Sequence, residues 1–104
     1  MLIYNITFHI DDSIHRKAID FIKNEYIPKA LKSGILFNPR LCKIHAAHDD
    51  SGWSYSVQFY VKNQSLLNEW WSMEGEKLQN EITRHFSNKM LGFTTLLEEI
   101  DIDE

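Results

Sequence analysis

Residues 2–10 read LIYNITFHI, and their hydropathy alternates along the whole stretch. Leu2, Tyr4, Ile6, Phe8 and Ile10 fall on one side of a period of two, and Ile3, Asn5, Thr7 and His9 on the other. Only an extended strand separates residues in this way. One side is apolar and the other neutral and polar, so the strand belongs in a sheet with a helical layer on its apolar face.

The rest of the chain supplies that layer. Asp11, Asp12 and Ser13 offer side-chain oxygens to cap a helix, and Ile14, Ala18, Phe21 and Ile22 then recur at helical spacing. Pro28 removes a backbone donor and crowds the preceding turn, which predicts a kink or restart there. Gly34 is placed to end the helix as its C′ residue. Residues 35–48 read as a long irregular strand with Cys42, Ile44 and Ala46 on one face; Pro39 marks an edge or a bulge. Asp49-Asp50-Ser51-Gly52 is a turn signal. Residues 53–61 form a third strand, with Trp53, Tyr55, Val57, Phe59 and Val61 facing away from Ser54, Ser56, Gln58 and Tyr60. Asn63-Gln64-Ser65 caps a second helix with Leu67, Trp71, Leu78 and Ile82 as its stripe, Gly75 as a weak point and Asn88 as its end. Residues 89–100 form the last strand. Strand, helix, strand, strand, helix, strand with right-handed crossovers predicts an α+β, ferredoxin-like βαββαβ fold. Its four-stranded antiparallel sheet has the order 4-1-3-2, with both helices on one face. Residues 1–100 make one domain, and residues 101–104 an acidic C-terminal tail.

A net charge of −4 argues against a nucleic-acid partner, which needs a basic field. The charge is uneven. Arg16, Lys17, Lys23, Lys29 and Lys32 outnumber Asp20 and Glu25 in the first helix, which reads as a solvated face, while residues 98–104 hold five acids and no base. Cys42 is the lone cysteine, which excludes an internal disulfide. No apolar run reaches the roughly 20 residues that span a bilayer, and the start has no leader pattern. A cytoplasmic protein is the expectation.

Two helices cover one sheet face. The large apolar set, Tyr4, Ile6 and Phe8 with Tyr55, Val57 and Phe59, belongs beneath them. On the central strands the other face presents Ile3, Asn5, Thr7, His9, Ser54, Ser56, Gln58 and Tyr60, without one Lys, Arg, Asp or Glu. A neutral, hydrogen-bonding surface of this kind suits a wet interface or a ligand cavity. A homodimer through the open sheet face is the simplest cover. Within it Asn5, Thr7, His9, Ser56, Gln58 and Tyr60 are candidate residues for binding a small molecule, and reaction chemistry there would depend on His9 or on a substrate reactive by itself.

Other candidates are weighed against plainer roles. Glu25 lies near the inward stripe of the first helix, where a buried carboxyl could act as acid or base, although such a residue often reaches out to water. His85 lies on the inward stripe of the second helix, where a core or capping histidine is the alternative. Trp70 and its neighbour Trp71 cannot both enter one core, so Trp71 takes the stripe and Trp70 is placed at its margin, partly buried at the core edge, with rimming a pocket or touching a partner as the functional alternative. His45, His48, Asp49 and Asp50 are metal-ligand types, but the two histidines point to opposite faces of a strand at a turn, so no metal site is assigned. Phosphate loops, GxSxG, HExxH and CxxC are missing from the sequence, and no cofactor is assigned.

The segments IYNITFHIDDSIH, EYIPKALKSG, YSVQF and FTTLLEE, in this order and spacing, resemble an uncharacterised bacterial family, domain of unknown function DUF4286. Tyr4-Asn5, His15, Ile27-Pro28, Tyr55 to Gln58, and Phe93 with Thr95 to Glu98 carry the likeness. The resemblance implies a short cytoplasmic protein with no established activity and no catalytic residue to transfer. Tyr26 stands where the family has His, and Thr94 where it has a basic residue. More loosely, the element order resembles dimeric α/β-barrel proteins of the antibiotic-biosynthesis monooxygenase and haem-degrading type. That implies two alternatives: a cofactor-independent oxygenase or other small-molecule enzyme working in a sheet-face cavity, and a haem or metal binder.

Overall fold

In a computed structural model, residues 1–45 and 52–103 are described. Four strands, β1 (Leu2–Ile10), β2 (Phe37–Lys43), β3 (Trp53–Val61) and β4 (Met90–Glu98), form one sheet in the order β2-β3-β1-β4. Every neighbouring pair is antiparallel. Helix α1 covers residues 15–30 and α2 residues 64–86, both on the same face. This is the ferredoxin-like α+β arrangement read from the alternation.

Alternation decides which face is dry. Tyr4, Ile6, Phe8 and Ile10 of β1 are buried beside Val57, Phe59 and Val61 of β3. Each fully buried side chain of this size contributes roughly 1.5–3 kcal/mol. Tyr55 is half-buried at the rim of this set.

The starts of the helices follow the sequence. The Asp11 carboxylate accepts from the backbone N–H and hydroxyl of Ser13, opening a short 3-10 turn before α1. Those two bonds, the hydroxyl's first, hold its carboxyl below the usual range. Asn63 Oδ1 accepts from the Leu66 N–H at 2.8 Å and caps α2. Gly34 ends the first helical segment with φ +79, donating its N–H to the Leu31 carbonyl. The end of α2 differs by one residue: Ser87, not Asn88, takes the positive φ of 52.

Both helices contain a π turn, at Ile22–Tyr26 and Trp71–Gly75. Each inserts one residue beyond regular α spacing, and this bears on three expectations. First, the restart expected at Pro28 takes the form of this turn: a new α segment opens at Ile27 with Pro28 in its first turn, and the chain stays helical. Pro28 follows the wide turn, in which the Ile27 N–H bonds back to Ile22, and the helix continues to Ala30. Second, Glu25 does not face inward; Tyr26 is buried in its place and Glu25 is exposed. Third, the α2 stripe changes phase. Trp70 and Leu78 are eight positions apart in sequence, yet with one residue taken up by the turn they share a face. Trp70 is therefore 0% exposed and Trp71 40% exposed, the reverse of the expected order. Beyond the turn the helix is regular, and there the expected place of His85 is also not met: Phe86, one helical turn after Ile82, takes the inner position and His85 is exposed. Gly75 permits the turn, since a Cβ there would lie 2.5 Å from atoms of both indole rings.

Among the described residues strand β2 runs from Phe37 to Lys43, starting two residues later than expected. Inside it Asn38 has φ 56 and the register slips between Phe37 and Arg40 around Pro39. The bulge reading of Pro39 and its edge position both hold. Lys29 links the helices, its ammonium 3.1 Å from both Glu25 and Glu81. Bonding to Glu81, then to Glu25, raises the Lys29 pKa.

Tyr4 and Tyr26 give the core an alkaline limit. Burial pushes the Tyr4 hydroxyl up to about 12 and raises Tyr26 as well, with nearby Tyr4 adding to the latter shift. In the unfolded chain both phenols ionise near an ordinary value of about 10. Above that pH the unfolded chain has released protons the native chain still holds, so stability falls as pH rises. The contribution is complete below about pH 10 and is lost as pH climbs through the raised native values. Urea unfolding from about pH 9 to 11 is expected to show a falling midpoint, flattened in a Tyr4→Phe, Tyr26→Phe double variant. An equal slope in that variant would refute the assignment.

Candidate functional site

The face opposite the helices is best read from strand pairing, because directly opposed residues project to the same side. On the central strands Ile3 pairs with Tyr60, Asn5 with Gln58, Thr7 with Ser56 and His9 with Ser54. Strand β4 continues the rows with Leu97, Thr95, Phe93 and Leu91. Strand β2 adds Phe37, Arg40 and Cys42 beside Tyr60, Gln58 and Ser56. Across these rows Arg40 is the one formal charge.

The six sheet-face candidates, Asn5, Thr7, His9, Ser56, Gln58 and Tyr60, thus sit together. Their side chains are already ordered. Ser56 donates its hydroxyl to Asn5 Oδ1, and Asn5 Nδ2 donates to Thr7 Oγ1 at 3.1 Å. His9 Nδ1 lies 3.3 Å from Ser54 Oγ, and Tyr60 donates to Glu99 at 3.5 Å. Asn5 is buried, at 8% exposure. The group can hold a neutral or singly polar partner through hydrogen bonds, with His9 able to move a proton.

Sequence reasoning weighed the two central strands and passed over β4. Leu91, Phe93 and Leu97 form an apolar column on the open face, with Phe93 61% exposed. Phe93 and Phe37 also bring two further aromatic rings to a face credited with Tyr60 alone. The signal was present in FTTLLEE, but β4 is apolar on both sides, so alternation alone does not show which side matters.

The remaining candidates lie elsewhere. Trp70 belongs to the core, its Nε1–H donating to the Ala30 carbonyl at 2.9 Å, and its ring edge-on to Tyr4 with centroids 5.5 Å apart. Glu25 and His85 line one open groove between the helices, about 450 Å³, over Phe21 and Phe86. His45 is exposed; His48, Asp49, Asp50, the turn at residues 49–51 and the strand position of Ala46 lie outside the described residues. Among the described residues no three of His, Cys, Asp and Glu gather closely enough to hold a metal ion.

One cluster escaped the sequence reading. Ile10 pairs with Trp53 and Phe8 with Tyr55, and the chain turns into α1 directly after Ile10. This sets His15 against both rings. Its imidazole stacks on Trp53 at 4.2 Å, and its Nε2 is 2.8 Å from the Tyr55 hydroxyl. Trp53 Nε1–H donates to Asp12 at 2.8 Å, and the Lys43 ammonium lies 4.3 Å from the indole centroid. Finding this set needs the strand register, which no local pattern supplies.

A family model described as a domain of unknown function, DUF4286, matches residues 1–100. The chain belongs to that family. No curated protein sequence matches this DUF4286 chain. Among solved structures it is similar to an ethyl tert-butyl ether d (EthD) family protein from Bacillus halodurans. That match has 15% identity and a TM-score of 0.68, covering 96% of this chain and 100% of the other. It is also similar to a dimeric ferredoxin-like protein from an uncultured marine organism, with 11% identity and a TM-score of 0.59, covering 98% of this chain and 99% of that one. At these identities the likeness establishes the ferredoxin-like fold. Among the described residues of the DUF4286 chain, no helix is long and apolar enough to cross a membrane.

Proposed function

We propose that this DUF4286 chain works as a homodimer whose two open sheet faces stack, enclosing a small-molecule space lined by Asn5, Thr7, His9, Ser56, Gln58 and Tyr60. The observation that carries the reading is the exposed apolar column Leu91, Phe93 and Leu97, on paired rows of the sheet face where Arg40 is the one formal charge and Glu99 stands at the margin beside Tyr60. A face meant for water carries more charge, and an exposed apolar patch of this kind marks an interaction surface. A two-fold axis lets one surface serve both partners, apolar column near apolar column and polar rows facing polar rows. The dimeric ferredoxin-like protein of similar fold supports the same assembly here. A reducing, cytoplasmic setting suits a chain with Cys42 as its lone cysteine. Light scattering of the intact protein is the test, with a dimer mass expected at micromolar concentration. A stable monomer there would overturn the reading.

A further inference from the structure

We propose a second binding site on the helix side of the sheet: the groove lined by His15, Arg16, Ile19, Asp20 and Tyr55 takes a small planar carboxylic acid that also carries a hydrogen-bond donor. The groove is open to solvent along one side and holds about 370 Å³, comparable with the lower part of the range of about 300–1,000 Å³ usual for small-molecule sites. It lies across the sheet from the face assigned to dimerisation, so the two sites are independent.

Organisation at the groove exceeds what packing requires. A half-exposed histidine ordinarily samples several rotamers, and fixing one costs entropy. Here the imidazole of His15 is held twice, by the parallel stack on Trp53 at 4.2 Å and by the bond of Nε2 to the Tyr55 hydroxyl at 2.8 Å. Trp53 is itself anchored through its N–H to Asp12. A side chain fixed before binding loses little on binding, which is how small sites gain affinity.

The lining defines the ligand. Ile19 and the Tyr55 ring supply an apolar wall that favours a flat body. Arg16 offers a planar fork of donors matched to a carboxylate, and in the tautomer where His15 Nε2–H donates to the Tyr55 oxygen, the Tyr55 hydroxyl proton is free to serve as a directional donor in the same groove. Asp20 follows Arg16 by one helical turn on the same side of α1. Its carboxylate accepts a hydroxyl or amine proton and repels a second negative charge. A hydroxylated aromatic monoacid meets each requirement.

The probe is para-hydroxybenzoate, followed by proton NMR of the His15 imidazole and the Trp53 indole N–H, with the His15 signals assigned by their loss in His15→Gln. Saturable shifts of both are expected. Tyr55→Phe and Arg16→Gln are each expected to weaken binding about tenfold, the size of one charge-assisted hydrogen bond. Arg16 is exposed, so its variant keeps the fold even if the Tyr55 variant does not. The neutral analogue para-hydroxybenzyl alcohol is expected to leave both signals in place. Failure of the acid to shift them, equal binding by the alcohol, or unchanged affinity in Arg16→Gln would each overturn the proposal.

Discussion

Replacing Trp70 by alanine is expected to lower the unfolding free energy by about 3–5 kcal/mol, the range for removing a large aromatic from a packed core. Trp70 is fully buried, touches Tyr4 edge-on, and bonds the last carbonyl of α1, that of Ala30. Alanine would leave a cavity and a carbonyl without its donor. Trp70→Phe separates the two effects: it keeps most of the volume and loses the bond, at a cost of about 1–3 kcal/mol. Trp71→Ala is expected to cost under about 1 kcal/mol, since much of that ring already meets water. Urea titrations of the three variants give the comparison. Equal losses for Trp70→Ala and Trp71→Ala would refute the phase shift placed at the π turn.

Phe93→Asp is expected to convert the proposed dimer to a folded monomer. Phe93 stands in the middle of the apolar column and is 61% exposed, so the isolated fold does not depend on it. Stacked against a second protomer, aspartate would put an uncompensated charge into a closed interface, and the two-fold axis would do so twice. Breaking a buried contact in this manner costs about 3–5 kcal/mol per charge, enough to lower a micromolar dimer's affinity by several powers of ten. Light scattering reads the mass, and circular dichroism reports whether the monomer is folded. A variant that stays dimeric would move the interface away from this face.

The central strands were legible because one side of each is buried and the other is not. Tyr4, Ile6 and Phe8 against Asn5, Thr7 and His9 leave no doubt about register or face. The caps at Asp11 and Asn63 were legible for a similar reason, since a short polar side chain before an apolar stripe has one economical use. The π turns were not. A helical projection advances every residue by the same angle, and one wide turn voids it for all that follows. Glu25 and Trp70 were misplaced by that single assumption, whereas His85 follows Leu78 and Ile82 in a regular segment, where it and Phe86 flank the same stripe and the larger apolar ring takes the inner place. A trace existed in Gly75, next to two tryptophans that could not share a core in a regular helix. The sheet-face set was found from two strands, but its apolar half on β4 was not, because Leu96 and Leu97 look alike in sequence while facing opposite sides. The His15, Trp53 and Tyr55 cluster joins residues about 40 positions apart and becomes visible only once β1 and β3 are aligned.

The paired wide turns have a bearing on how this family tolerates change in length. A helix buried along one side is normally intolerant of insertion or deletion, because a single added residue rotates everything downstream out of the interior. In α1 and α2 the surplus residue is already present and confined to one loop of backbone facing solvent in part, at Glu25 and Met73. Losing it would tighten the spiral to its ordinary pitch and leave Trp70 and Leu78 aligned. Homologues can therefore differ by a residue at either place and still share the same interior.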